Sequence, residues 1–208
     1  MEKIGKRFEG KVVIVTASTQ GIGFSIAERL GFEGASVVIS SRKQKNVDEA
    51  VKKLSNEGIE VLGLVCHVSN AQERKNLIQK TIQDAAPYLK KGSSVVLISS
   101  VAGFSPPALM GMYGVTKTAL FGLTKALASE MSPHTRVNCV APGFVPTHFT
   151  DFITKNEHLR RGIEGETLLN RLGTTQDMAG AVAYLASDDA AYVTGETLVV
   201  AGGMHSRL

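Results

Sequence analysis

Six short runs of β-branched and aliphatic residues, each separated from the next by a longer stretch, dictate most of what this chain can become. The runs are Lys11–Thr16 (KVVIVT), Ser36–Ser41 (SVVISS), Glu60–Cys66 (EVLGLVC), Ser94–Ser100 (SVVLISS), Arg136–Ala141 (RVNCVA) and Thr197–Ala201 (TLVVA). They are continuous rather than alternating, which suits parallel strands covered on both faces. Helical patterns fall near 22–33, 45–57, 70–90, 112–131 and 176–187. The β-α-β-α order predicts a Rossmann-like α/β fold, a doubly wound parallel sheet with right-handed crossovers. No repeat or linker divides the sequence, so a single domain is expected over 1–208. Residues 143–174 are rich in Thr, Gly, Phe and charge, with weak periodicity. A long irregular insert beyond a strand's carboxyl end predicts a substrate lid there.

Composition narrows the class. A chain of 208 residues that is 43% hydrophobic can bury a sizeable core. No apolar run approaches the length of a membrane span, and the opening MEKIGKRFEG lacks the apolar segment of a secretory signal. The net charge of +4 comes from scattered Lys and Arg, without a zinc-finger or RNA-binding pattern. Neither nucleic acid nor a membrane is therefore expected as a partner, and an anionic small molecule accounts for the same bias. No metal site is expected. Cys66 and Cys139 lie in apolar strand-like segments and are read as buried thiols rather than a disulfide. The terminal Ser206-Arg207-Leu208 is a close variant of the S-K-L peroxisomal address. It predicts import through the peroxisomal receptor, with a chance tripeptide as the alternative.

The first strand is followed by Thr16-Ala17-Ser18-Thr19-Gln20-Gly21-Ile22-Gly23. Gly21 and Gly23 would let backbone and helix approach a pyrophosphate, whose charge a helix N-terminus favours. A glycine-rich turn between a first strand and a helix is the setting of a dinucleotide site. Thr16, Ser18, Gln20, Gly21, Ile22 and Gly23 are its candidate residues. The second strand ends in Ser41-Arg42-Lys43, where an NAD site usually places a carboxylate for the ribose 2′-hydroxyl. No carboxylate appears until Asp48. Arg42 instead offers a planar cation for a 2′-phosphate. NADP(H) is thus expected over NAD(H), the alternative being that Arg42 and Lys43 merely solvate a loop.

The fourth run ends in Ser99-Ser100; Tyr113 lies beyond it, and Lys117 follows four residues after Tyr113. That spacing puts Tyr113 and Lys117 on one helix face, a turn apart. A Tyr hydroxyl, with an ordinary pKa near ~10, is a poor acid–base catalyst at neutral pH. A neighbouring ammonium stabilises the phenolate, and a Ser hydroxyl can polarise a substrate oxygen alongside. Tyr-x-x-x-Lys alone is a weak signal. Its setting strengthens it: a strand-end Ser, then the helix, then Pro142-Gly143 after the next strand.

These residues together resemble the short-chain dehydrogenase/reductase family. The matching signatures are Thr16–Gly23, Ser100…Tyr113-x-x-x-Lys117, and Pro142-Gly143 followed by Thr147. The runs VTASTQGIGF, VVISSRKQKNVDEAV, PGFVPTHF and LLNRLG are most similar to its peroxisomal NADP(H)-dependent carbonyl reductases and their plant relatives. Those members also carry Ala17 where most of the family has glycine. The resemblance implies Tyr113 as the catalytic acid–base, Lys117 as ribose ligand and tuner of Tyr113, and Ser100 as the group orienting the carbonyl. It implies cofactor binding by Pro142, Gly143 and Val145, with Thr147 bonding the nicotinamide carboxamide. The substrate expected is a small or medium ketone, aldehyde or matching alcohol, with an acyl-CoA-linked substrate as the alternative. Phe144, His148, Phe149 and Phe152 suggest an aromatic pocket wall, or equally lid packing.

The pattern breaks between Cys66 and Ser94. That interval has room for one helix, with AQERKNLIQKTIQ running directly into DAAPYLKKG. In the family it holds a further strand, carrying an Asn-Asn-Ala-Gly type motif, and a long helix with a proton-relay Asn. Six strands are therefore expected instead of seven. Ser94–Ser100 must either close onto Lys11–Thr16 or leave backbone groups unpaired, at about 1–3 kcal/mol each if buried. The interface helix of the family would be reduced to DAAPYLKKG, which weakens any homo-oligomer. Two functions follow: an active reductase, or a truncated, impaired chain that binds cofactor weakly or pairs with a full-length partner.

Overall fold

The computed structural model describes residues 5–84, 92–108, 110–151 and 155–204. Phe152, most of DAAPYLKKG and the terminal Ser206-Arg207-Leu208 lie outside the described residues. The chain divides into two compact units, Met1–Lys90 and Lys91–Leu208.

The first unit runs β1 (Val12–Val15), α1 (Gly21–Phe32), β2 (Ser36–Ser41), α2 (Gln44–Asn56), β3 (Val61–Val65) and α3 (Ala71–Asp84). Its strands form a parallel sheet in the order β1-β2-β3. Adjacent residues of a strand point to opposite faces, and β3 shows both faces in use. Gly63 lies where a β-carbon would press on Val47 and Val51 of α2. Its neighbours Leu62 and Leu64 pack with Val12, Ile14, Val38, Cys66 and Leu77, the last from α3. A small residue under α2 and large ones under α3 thus cover the sheet on two sides. One buried charge ties the start of this unit together. The Glu33 side chain is fully buried and accepts hydrogen bonds from Arg7 Nε at 2.6 Å and Arg7 Nη2 at 2.9 Å. Arg29 Nε, one helical turn before it, donates at 2.5 Å.

The second unit runs β4 (Ser93–Ile98), α4 (Gly111–Met131), β5 (Thr135–Pro142), α5 (Glu157–Gly165), α6 (Thr175–Ala186) and β6 (Thr197–Val200). Its sheet is parallel, in the order β4-β5-β6. Helix α6 starts with a capping box in which Thr174 and Asp177 each bond the other's backbone N–H. Helix α5 departs from the irregular lid read in the sequence. It holds no buried residue, and its signal is electrostatic: Asn156 caps its first amides, and Glu157–Arg161 and Arg160–Glu164 pair one turn apart.

All six expected strands are present, so the Rossmann-like α/β fold stands. Among the described residues β1 pairs only with β2 and β4 only with β5, giving two three-stranded sheets. Burial follows. Middle strands β2 and β5 are largely buried, whereas β1 and β4 are only partly so along their whole length. Both cysteines are free and buried.

Candidate functional site

The turn after β1 is built to bring backbone close to a ligand. Ala17 and Gly21 both take left-handed backbone, φ 52° and 58°. Gly23 cannot carry a side chain: its β-carbon would run into the Ala17 carbonyl and lie 2.9 Å from Ser18 Cα. Helix α1 begins after Gln20, whose side chain makes no capping hydrogen bond. The first amides of α1 are thus not taken by a side-chain cap, as an anion-binding helix end requires. Ser18 has a different position from its neighbours. It is fully buried; its hydroxyl donates to the Val15 carbonyl at 2.5 Å and accepts from Ser40 N–H at 3.1 Å. Its own N–H donates to the Ser40 carbonyl at 3.0 Å. Ser18 therefore staples the turn to the end of β2, while Thr16 and Gln20 are exposed.

Ser41 closes β2 and is half-buried, its carbonyl accepting from Cys66 N–H at 3.0 Å. Arg42 and Lys43 follow it into solvent. Among the described residues the Arg42 guanidinium has no ion-pair or hydrogen-bond partner, so its donors are available to a phosphate. Bare helix amides, a glycine where a side chain cannot fit and an unengaged guanidinium together fit a phosphorylated dinucleotide in this unit.

In the second unit, Ser100 follows β4 and caps a short 3-10 turn over Val101–Gly103, its hydroxyl accepting from Ala102 N–H at 3.1 Å. Tyr113 lies in the first turn of α4, and the Lys117 ammonium sits 5.6 Å from its ring centroid. Lys117 Nζ donates to the Ile98 carbonyl at 3.0 Å. Burial pushes this ammonium below the ordinary lysine range, against a smaller opposing effect of the Cys139 sulfur. Helix α4 docks on the Ser100 turn through two missing β-carbons. One at Gly114 would crowd Pro106 and the Ala102 carbonyl; one at Gly103 would crowd Phe121 and Lys117. The Thr118 hydroxyl donates to the Gly103 carbonyl at 2.6 Å, and Phe104 stacks on Phe121 at 4.2 Å.

Beyond β5, Pro142 is buried and Gly143 N–H donates to the Val200 carbonyl at 2.9 Å. A β-carbon on Gly143 would lie 2.9 Å from Ala201 Cα. Val145 is buried, and Thr147 N–H donates to Thr150 Oγ1 at 2.9 Å. The four aromatic-wall candidates separate. Phe149 meets the Tyr113 ring at 5.4 Å, and with Met110, Gly111 and Met112 they line an open apolar recess. Phe144 lines a different cavity of about 180 Å³ with Thr167, Leu169, Arg171 and Gly202 among others. His148 is exposed and lies 3.5 Å from Asp151. Sequence reasoning passed over Ser99, Gly103, Gly114 and Thr118, which hold α4 against the strand end. The adjacent Ser99-Ser100 pair was the one signal that pointed at them.

Comparison with known proteins shows the family and the fold. Residues 11–89 match the profile described as short chain dehydrogenase. Residues 79–205 match the one described as Enoyl-(Acyl carrier protein) reductase. Tropinone reductase-like 3 of Erythroxylum coca is 61% identical over 250 aligned positions, covering 99% of this chain and 97% of that one. Short-chain dehydrogenase/reductase SDRA of Arabidopsis thaliana is 59% identical over 252 positions, covering 100% and 99%. Both alignments outrun the 208 residues of the chain, so a few dozen positions of each relative face a gap. Among solved structures, a gluconate 5-dehydrogenase from Burkholderia cenocepacia J2315, in complex with NADP and tartrate, superposes with a TM-score of 0.90. It is 20% identical, with 98% of each chain covered, and it speaks for the fold. The chain belongs to the short-chain dehydrogenase family of oxidoreductases.

Proposed function

We propose that this chain is an NADP(H)-dependent oxidoreductase that interconverts a carbonyl and an alcohol. The observation that carries the reading is the half-buried Lys117 ammonium, 5.6 Å from the Tyr113 ring, tied to the strand whose end bears Ser100. The Tyr113 hydroxyl gives its proton to the substrate oxygen in reduction and takes one back in oxidation. Lys117 supports the phenolate by its charge, and its remaining donors serve a ribose diol. The Ser100 hydroxyl donates to the same substrate oxygen and fixes its direction. The nicotinamide, when bound, supplies or takes up the hydride. The bare α1 N-terminus and Gly23 would hold the pyrophosphate, Arg42 and Lys43 a 2′-phosphate, and Thr147 the carboxamide. NADP or NADPH is named with two neighbours of the same fold, which supports nicotinamide-cofactor binding here.

The recess of Met110, Gly111, Met112, Tyr113 and Phe149 is apolar. It favours a small or medium ketone or aldehyde over an acyl-CoA-linked substrate, whose phosphates would want cations there. Purified chain, offered NADPH and a panel of such carbonyls beside a fluorescence measurement of cofactor binding, should bind NADPH and consume it. Binding without consumption of any carbonyl would remove the reading.

One observation favours a second reading, that of a truncated and impaired chain. β1 and β4 each pair on one side only among the described residues. A sheet that lacks a central strand loses buried surface and backbone pairing, and a lost relay Asn slows proton supply. Inserting a relative's strand–helix segment between Gln83 and Asp84 should raise melting temperature and turnover together. An unmodified chain that melts cooperatively and matches the restored one in rate would dismiss this reading. We further propose peroxisomal import through Ser206-Arg207-Leu208. An N-terminal fluorescent fusion should be punctate and turn diffuse on deletion of those three residues.

A further inference from the structure

We propose that Ser99 is a positioning residue for the reaction, fixing Lys117, and with it Tyr113, in register with Ser100. This inference rests on the catalytic roles proposed above. Ser99 is 3% exposed, and its hydroxyl donates to the backbone carbonyl of Lys117 at 2.8 Å. The Lys117 side chain returns to the same strand end, its ammonium donating to the Ile98 carbonyl at 3.0 Å. One residue of α4 is thus tied at both its backbone and its side-chain end to two consecutive residues, Ile98 at the end of β4 and Ser99 just past it.

The strand's own geometry explains why this hold falls to Ser99. Ser99 N–H donates to the Val140 carbonyl of β5, so the backbone groups of Ser99 point toward β5. Successive residues of a strand alternate, so those of Ile98 point the opposite way, to the edge of β4 that has no strand partner among the described residues. The Lys117 ammonium therefore seals an edge carbonyl that a neighbouring strand would otherwise occupy. That bond fixes the far end of the long lysine side chain. Ser99 fixes its base, holding the α4 backbone at Lys117 against the strand end. Because Ser99 is covalently next to Ser100, the same contact sets the separation of the carbonyl-orienting hydroxyl from the lysine and tyrosine one strand-to-helix step away. Displacements of about 1 Å in such a constellation are costly to rate.

Three variants test the assignment: Ser99→Ala removes the donor, Ser99→Cys weakens it at similar size, and Ser99→Thr keeps it. The first readout needs no turnover. NMR titration of the lysine side chains, with the Lys117 signal assigned by its loss in Lys117→Arg, should find Lys117 titrating closer to the ordinary lysine range in Ser99→Ala. Ser99→Thr should restore the wild-type midpoint, and Ser99→Cys should fall between. The second readout is kinetic: kcat for a carbonyl substrate at saturating NADPH should fall about tenfold in Ser99→Ala with KM little changed. A lower melting temperature in Ser99→Ala, with the Lys117 midpoint and the kcat-to-KM split both unmoved, would make Ser99 a packing residue and overturn the proposal. If the wild-type chain consumes no carbonyl, the reductase reading fails on its own, and the Lys117 titration still decides the role of Ser99.

Discussion

The β-carbon that Gly23 lacks would run into the backbone carbonyl of Ala17. The helix and the turn that precedes it are therefore closer than any side chain allows, an approach that the proposed pyrophosphate site needs. Gly23→Ala should push the turn away from the helix, at a cost of about 1–3 kcal/mol to packing. We expect NADPH affinity to fall at least about tenfold, equivalent to ~1.4 kcal/mol. Fluorescence titration checks it, and unchanged affinity would mean the pyrophosphate binds elsewhere.

The proposed preference for NADP(H) rests on Arg42. It is exposed after β2, and no partner among the described residues competes for its guanidinium. Arg42→Asp should weaken NADPH by roughly ten- to a hundredfold, the worth of one or two charge-assisted hydrogen bonds at about 1.5–3 kcal/mol. NADH should be held as before or better. A preserved NADPH-to-NADH affinity ratio would free Arg42 of this role.

Among the described residues, Glu33 and Asp177 contribute to acid stability. Burial works against the charge of Glu33, yet hydrogen bonds from Arg7 and Arg29 outweigh it and hold its carboxyl below the ordinary range. Asp177 is held well below its ordinary range, foremost by the Arg171 hydrogen bond and then by Thr174, against desolvation. Folded values below the unfolded ones give stability that is complete above about pH 4–5 and lost as pH falls through the folded values. Glu33→Gln should cost about 1.5–3 kcal/mol at neutral pH by urea unfolding. The gap between variant and wild type should close as the medium is acidified below pH ~4. Parallel curves down to strong acid would show that Glu33 is not ionised in the fold.

Legibility in the sequence followed physical cause. The strands stood out because parallel strands need continuous apolar runs. The missing strand was visible as a distance, Cys66 to Ser94, too short for more than one helix. Which strands end up at an edge was not visible, since Val12–Val15 and Ser36–Ser41 read alike and only pairing exposes the first. Helix α5 escaped because it buries nothing and is held by charge pairs and an Asn cap rather than by apolar periodicity. Glu33 reads as one more solvated helix-end charge until Arg7, 26 residues earlier, folds back on it. Tyr113 and Lys117 were legible because one helix carries both. Ser99 was not, because nothing in the order of residues says where a hydroxyl points.

The central claim is that Tyr113 moves the proton in an NADPH-dependent carbonyl reduction. The most direct measurement is NADPH oxidation by purified Tyr113→Phe beside the unchanged chain, with cofactor affinity measured on both. We expect turnover to vanish in Tyr113→Phe while NADPH affinity stays nearly the same, because only the proton donor is lost. Turnover retained in Tyr113→Phe would contradict the account and place the acid on another residue.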